Sequence, residues 1–402
     1  MRAPTSSADA TDASTSSASR FDPSSLHGRL VHGTCGWAAA SQRLSIYTSA
    51  EAQTGESRLP RYAERFGFVE IDSTTYAVPN PDVVRRWVEA TPGGFVFVVK
   101  AFGGFCASTV DARSLPRDVR EATTSTPSGR VSYASMSSRA KSMLWDRFNE
   151  ALAPIRDAGK LGCVVFQFHL SQGVSETLKA HVLECRSRLL DGTRVAVEFR
   201  DRAWLEGDVG DATARWCREH DLCLVCADEL EHETFQRDRD QKGLPPGATR
   251  RRMPTRIEST VDWGSLVRVH RRHGTTERVL DEEEIAFWAA NLDALRPARG
   301  PIWFAWGTEW RDAPLQNARA LDTAAGDAWS YDWYGTRHLR PSRAKTKPSA
   351  AESAIASLFA RAPPPRPRDA SSSSSSSSIR ATNASSSRTI ADLWARASRD
   401  PK

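Results

Sequence analysis

No run of eighteen consecutive apolar residues occurs in this 402-residue chain, so no segment has the length and hydropathy to cross a bilayer as a helix. The first 28 residues are rich in Ser, Thr and Ala and lack the apolar core of a secretory signal. Asp9, Asp12 and Asp22 also count against an organelle transit peptide, which is poor in acids, so disorder is expected there. An intracellular protein, nuclear or cytoplasmic, is the resulting expectation. Neither standard Gly-rich phosphate loop is present, which argues against a nucleotide cofactor. His-x-His and His-Glu-x-x-His spacings are missing too.

Cysteine is sparse. Seven in a chain of this size make no disulfide framework. Cys35, Cys163, Cys223 and Cys226 lie in or beside apolar runs, as reduced core cysteines do. Cys223 and Cys226 form a C-x-x-C, but within Leu222-Cys-Leu-Val-Cys-Ala227, which reads as a buried strand rather than a metal knuckle or redox turn.

What is abundant is apolar and aromatic side chain: 40% hydrophobic residues, with 13 Trp and 15 Phe, ample for one large core. Charge is unevenly placed. Up to Arg340 there are 44 basic and 45 acidic residues, and from Pro341 onward 11 and 4. The net +6 therefore belongs to the tail, which favours anionic partners such as nucleic acid or serves solubility.

From residue 30 short β-rich runs alternate with longer amphipathic ones. Strands are predicted at Leu30 to Trp37, Phe68 to Ile71, Phe95 to Val99, Cys163 to Phe168, Val195 to Phe199, Leu222 to Ala227, Leu266 to Val269 and Ile302 to Trp306. Helices are predicted at Leu59 to Phe66, Pro81 to Ala90, Arg139 to Ala158, Glu176 to Leu190, Asp211 to His220, Glu282 to Leu295 and Pro314 to Ala325. Near-continuous apolar strands separated by helices mean a parallel sheet buried on both faces, and eight of them close a single (β/α)8 barrel of the TIM type over residues 29–334. Residues 1–28 and 335–402 are expected to be disordered flanks, the second carrying eight consecutive serines from Ser371 to Ser378. Two long polar stretches, Ala101 to Ser138 and Glu229 to Asp262, follow strands and are expected over the catalytic face. The second shortens or replaces the sixth helix, and it carries Lys242, Arg250, Arg251, Arg252 and Arg256 without an acid between Gln241 and Ile257.

In such a barrel the carboxyl ends of the strands point at substrate. Those ends hold Glu70, Asp72, Lys100, Gln167, Glu198, Arg200, Asp228 and His270, the candidates for catalysis. Trp37, Tyr76, His169, Trp204 and Arg268, with Arg250, Arg251 and Arg252 of the long loop, are the candidates for holding substrate. Converging carboxylates, cations and histidines would shift one another's pKa values as acid–base sites require, the alternative being a web of salt bridges closing the barrel top. His169, His270, Glu198, Glu70 and Asp228 would also suit a divalent metal.

Several pieces then fall in order: Gly33-Thr-Cys-Gly-Trp37, Val69-Glu-Ile-Asp-Ser-Thr-Thr-Tyr76, Trp87 with Thr91-Pro92, Phe97 and Lys100, Leu161-Gly162 with Phe166-Gln167, Glu198-Phe-Arg200 with Trp204, Ala227-Asp228, Arg268-Val-His270, and Ala313-Pro with Asn317-Ala318. Over roughly residues 31 to 325 the chain resembles the YecE-like barrel family, domain of unknown function 72. The resemblance implies a TIM-type barrel with an invariant polar mouth and no agreed reaction. This chain departs from the family pattern at Asp72, where Asn is usual, near His169, where Pro follows Gln, at Arg271, where Gly follows His, and at Gly307-Thr308, where an Asn pair is usual. These departures, with the long basic loop, suit a eukaryotic branch.

Two classes of function follow. One is a hydrolase or lyase acting on a phosphate-bearing or nucleic-acid substrate, with Glu198, Asp228, Glu70 and His270 moving protons or binding metal, Lys100 and Arg200 neutralising developing charge, and the arginine loop holding phosphates. The other is a non-catalytic adaptor that binds an anionic ligand and recruits partners through its tail. There Ile355-Ala-Ser-Leu-Phe-Ala-Arg-Ala362 recurs as Ile390-Ala-Asp-Leu-Trp-Ala-Arg-Ala397. Ile355, Leu358 and Phe359, and likewise Ile390, Leu393 and Trp394, share one face of a helical turn, as in a segment that folds into a partner's groove or docks back on the barrel. The octets resemble the hydrophobic part of sliding-clamp-binding peptides, although Glu352 and Ser387 stand where Gln is customary.

Overall fold

The computed structural model describes residues 27–39, 42, 46–47, 55–169, 171–228, 253–270, 279–307 and 311–329. The expected N-terminal disorder before residue 27, Arg250, Arg251, Arg252, and both tail octets lie outside the described residues.

The strands in chain order are β1 (Leu30–Thr34), β2 (Phe68–Ile71), β3 (Val96–Lys100), the two-residue β4 (Val110–Asp111) and β5 (Arg130–Val131), β6 (Leu161–Phe168), β7 (Val195–Phe199), β8 (Leu222–Leu224), β9 (Cys226–Asp228), β10 (Ser265–Val269) and β11 (Ile302–Trp306). The helices are α1 (Gly55–Ala63), α2 (Pro81–Glu89), α3 (Gly103–Cys106), α4 (Arg117–Glu121), α5 (Ser138–Asp157), α6 (Glu176–Arg188), α7 (Gly207–Glu219), α8 (Glu282–Leu295) and α9 (Ala313–Ala325). Apart from the antiparallel β4–β5 pair, the strands pair in parallel in the order β8-β7-β6-β3-β2-β1-β11-β10-β9. The outermost two are separated in sequence by Val225 alone, so the sheet curls into a nearly closed barrel with helices between its strands. None of the described helices is long and apolar enough to cross a membrane.

Local chemistry starts the helices where the chain leaves the strands. Asn80 caps α2 by accepting from the Asp82 amide at 2.8 Å, with Pro81 in the first turn where its missing N–H costs nothing. Ser137 and Ser175 cap α5 and α6. Asp281 and Glu284 form a reciprocal capping box at the start of α8.

Alternation along each strand separates two cores. Val31, Phe68, Val98, Val165, Leu266 and Trp303 fill the barrel interior. Leu30, Val267, Val269, Ile302, Phe304 and Trp306 turn outward onto α8 and α9, with Trp288, Leu292 and Leu321. Full burial of each such side chain contributes about 1.5–3 kcal/mol, which is why these runs hold the parallel arrangement. Cys223 belongs to the interior and Cys226 to the outer layer, so strand alternation turns their thiols to opposite faces. Burial pushes both thiols up, that of Cys223 to about 12.

Three features add to or correct the expectations. The polar stretch after β3 folds into an ordered lobe: Phe105 of α3 stacks on Trp145 of α5 at 3.8 Å between centroids, and the Trp145 indole donates to Tyr133 at 2.8 Å. The sixth strand is broken at Val225, so β8 bonds to β7 while β9 bonds to β10. The reason is that Thr260 occupies the other edge of β8; its hydroxyl accepts from the Leu224 amide and donates to the Leu222 carbonyl, both at 2.8 Å. Thirdly, the end of the long basic stretch does not lie over the mouth. Residues 253–262 take the place of a helix and run along α7, where Arg256 pairs with Asp211 at 2.8 Å and Glu258 at 2.6 Å.

Candidate active site at the carboxyl end of the barrel

The interior changes character at its carboxyl end because the inward phase of several strands switches there from apolar to charged residues. On β2 the inward series is Phe68 then Glu70, on β3 Val96 and Val98 then Lys100, on β7 Ala196 then Glu198, and on β10 Leu266 then Arg268. Arg268 is the centre. Its Nε and Nη2 donate to the two carboxylate oxygens of Glu70 at 2.9 and 2.8 Å, and its Nη1 donates to Glu198. All three side chains are at most 2% exposed. Glu198 also accepts from Gln167 Nε2 at 2.7 Å and lies 4.0 Å from Arg200 Nε. Beside this cluster Lys100 Nζ reaches Asp72 at 2.7 Å, and Thr74 anchors the turn by donating to the Ile71 and Lys100 carbonyls.

Charge and burial act on these groups in opposing directions. Burial raises the Glu70 carboxyl, and with Asp72 it outweighs the downward pull of Arg268 and Lys100. Burial also works upward on Glu198, but there Arg268, Arg200, Lys100 and the Gln167 hydrogen bond win and hold it below the ordinary carboxylate range. Burial works against the Lys100 ammonium, yet Asp72 beside it keeps its pKa above the usual lysine value. Over the buried layer of Glu70, Glu198 and Arg268 sits a partly accessible one containing Cys35, Asp72, Gln167 and Arg200. Arrangements of this kind support proton transfer and stabilisation of developing charge.

A profile of the family described as Protein of unknown function DUF72 matches residues 31–336. The chain belongs to this family. The UPF0759 protein YunF of Bacillus subtilis (strain 168) is 26% identical over 241 residues, 60% of this chain and 70% of that one. A crystal structure of a DUF72 family protein from Enterococcus faecalis V583 superposes with a TM-score of 0.53 at 19% identity, covering 74% of this chain and 98% of that one. A DUF72 family protein from Thermotoga maritima MSB8 gives 0.51 at 18% identity, covering 73% and 97%. These structures bear out the barrel expected from the order of strand-end motifs.

Within the DUF72 barrel, Glu70, Asp72, Lys100, Gln167, Glu198, Arg200 and Arg268 come together. His270 is buried next to them, immediately after β10, the strand that carries Arg268. Other expected site residues do not join the cluster. Asp228 is in register with Val269 and shares its strand face with Cys226, whose thiol it pushes up, so alternation turns it toward the outer layer. His169 is exposed, with its ring against Ser171 at 3.1 Å. Trp37 is buried edge-on against Trp87, and Trp204 is stacked on Phe199 at 4.1 Å, donating to the Gln172 carbonyl. Both indoles pack behind the strands rather than at the mouth. Tyr76 stands 55% exposed just beyond the turn that follows β2.

Among the described residues no three His, Cys, Asp or Glu side chains form a group able to hold a metal. Glu70 and Glu198, two of the expected ligands, spend their oxygens on Arg268 and Gln167 instead. Cys35, expected in the core from its place beside an apolar run, packs against the barrel interior but is the one partly exposed cysteine of the seven, with the other six buried. The available signal was its phase, two residues beyond Gly33 and four beyond the interior Val31.

Proposed function

We propose that this mouth is the active site of an acid–base enzyme, a hydrolase or lyase acting on a phosphate-bearing substrate such as nucleic acid. The observation that carries the reading is that one buried guanidinium at the barrel mouth holds two carboxylates, Glu70 through both oxygens and Glu198 through one, with the Lys100–Asp72 pair beside them. Burial raises the Glu70 carboxyl, whereas against burial Arg268 and its neighbours hold Glu198 down, so the two carboxyls sit in unlike environments. Lys100 and Arg200 take up negative charge as it develops. Glu198 is one hydrogen bond from Gln167, which reaches the partly accessible layer where substrate enters. Arg250, Arg251 and Arg252, in the basic stretch of sequence between β9 and β10, supply phosphate contacts.

The test is incubation of the full chain with phosphoester and nucleic-acid panels, with divalent metal and with chelator. Turnover by the wild type, abolished by Glu198→Gln and by Lys100→Met with the circular dichroism spectrum retained, is expected. Binding without turnover on every panel member would overturn the enzymatic reading and leave the adaptor. Replacing Arg250, Arg251 and Arg252 by Ser should flatten the plot of log K against log salt for duplex DNA by up to about three units. An unchanged slope removes the loop from the interface.

A further inference from the structure

The mouth holds a thiol that the carboxylate chemistry does not use. Cys35 follows β1 in the turn Gly33-Thr-Cys-Gly-Trp37, fixed by the Thr34 amide donating to the Tyr62 hydroxyl at 2.8 Å. Its Sγ lies 3.6 Å from His270 Nε2 and 4.0 Å from Arg268 Nη2. The imidazole cannot drift far. Its backbone N–H donates to the Asp228 carbonyl at 2.9 Å, and its ring lies over Gly307 so closely that a Cβ there would come within 2.0 Å of Nδ1. A glycine just past the end of β11 thus makes the space in which the ring faces the sulfur.

We propose that Cys35 is a nucleophile of the barrel mouth, with His270 as its base, and that it forms covalent bonds with soft carbon electrophiles. A nucleophile within reach of an oriented base is the signature of an activated thiol. The Sγ proton passes to His270 Nε2. The thiolate pair forms an S–C bond while the bond to the leaving group breaks, and that group departs with its electron pair. Arg268 also stands near the sulfur, with Glu70 and Glu198 bound to its guanidinium, and the Lys100–Asp72 pair lies beside this cluster. The proposal is independent of the reaction assigned to the carboxylates.

Reduced full-length protein treated with limiting iodoacetamide at about pH 7, followed by peptide mass spectrometry, tests it. Cys35 should be alkylated alone, about tenfold faster than glutathione under the same conditions, with a rate–pH midpoint below the ordinary thiol value of about 8.5. The other six thiols, buried, are the internal control. Cys35→Ser should take no label, and His270→Gln should reduce the Cys35 rate to that of glutathione or lower. A wild-type rate no faster than glutathione, a midpoint at or above about 8.5, or a folded His270→Gln protein with an undiminished rate would each overturn the proposal. If His270→Gln does not fold, the wild-type rate and midpoint decide by themselves.

Discussion

The two ends of the barrel carry similar charges in opposite settings. At the amino end a cleft of about 910 Å³ is lined by Arg194, Arg218, Arg296 and Arg299 with Asp221 and Asp262. Its ion pairs are in water: Arg299 and Asp262 are 77% and 60% exposed. At the carboxyl end Arg268, Glu70 and Glu198 are almost fully buried. The number of charged groups therefore does not distinguish a working face from a solvated one; the cost of removing them from water does. Exposed pairs stabilise by about 0–1 kcal/mol, whereas breaking a buried one leaves an uncompensated charge in a low-dielectric interior. A fold retains such a cluster only when geometry satisfies nearly every polar atom in it.

The strongest way to break the contrast is Arg268→Met, which strands two buried carboxylates. Unfolding in urea should show a loss of about 3–5 kcal/mol, and a loss under about 1 kcal/mol would place the cluster in water instead. Gly307→Ala drives a methyl into the His270 ring, and a loss of about 1–3 kcal/mol is expected from thermal and urea unfolding together.

A finer comparison uses pH. Glu70 is raised in the folded state, so its contribution is present below the unfolded value of about 4.3 and lost as pH rises through its folded pKa. Glu198 is depressed, so its contribution is present above about 4.3 and lost as pH falls through its folded pKa. Glu70→Gln should thus flatten the dependence of unfolding free energy on pH above about 4.3, and Glu198→Gln below it. The same change of slope in both variants would refute the split between the two carboxylates. The smallest effect belongs to the amino end: Arg299→Ala should stay within about 0.5 kcal/mol of wild type by the same urea measurement.

Much of this architecture is legible in the amino-acid sequence. Phe68–Ile71, Val195–Phe199, Glu282–Leu295 and Ile302–Trp306 have the bounds read from the pattern, because doubly buried strands and well-capped helices announce their ends locally. The convergence of Glu70, Glu198 and Arg268 follows from strand-end position plus alternation. Asp228 was misplaced because position was used without alternation, which turns a residue one step beyond the inward Ala227 to the other face. Trp37 and Trp204 stand apart from the cluster for a different reason. A tryptophan near a strand end serves the layer outside the barrel as readily as its mouth, and only the packing partner tells which. The ordered lobe after β3 was hidden by its polarity, since its core rests on a few aromatic residues, Phe105, Tyr133 and Trp145, supplied by separate segments.

A barrel is said to have no edges, but here one rung of the wall is a hydroxyl. Where β8 meets its neighbour, Thr260 takes the place of a strand, satisfying one amide and one carbonyl that would otherwise be left open. The seam makes the closing of the ring depend on a non-local tether rather than on strand pairing alone, because residues 253–262 must return before the wall is complete. Amide hydrogen exchange at Leu224 then reports the docking of that tether, while Val195 to Val197 on the adjacent β7 report the barrel itself. Closure and stability are thereby separable events in a fold usually treated as one cooperative ring.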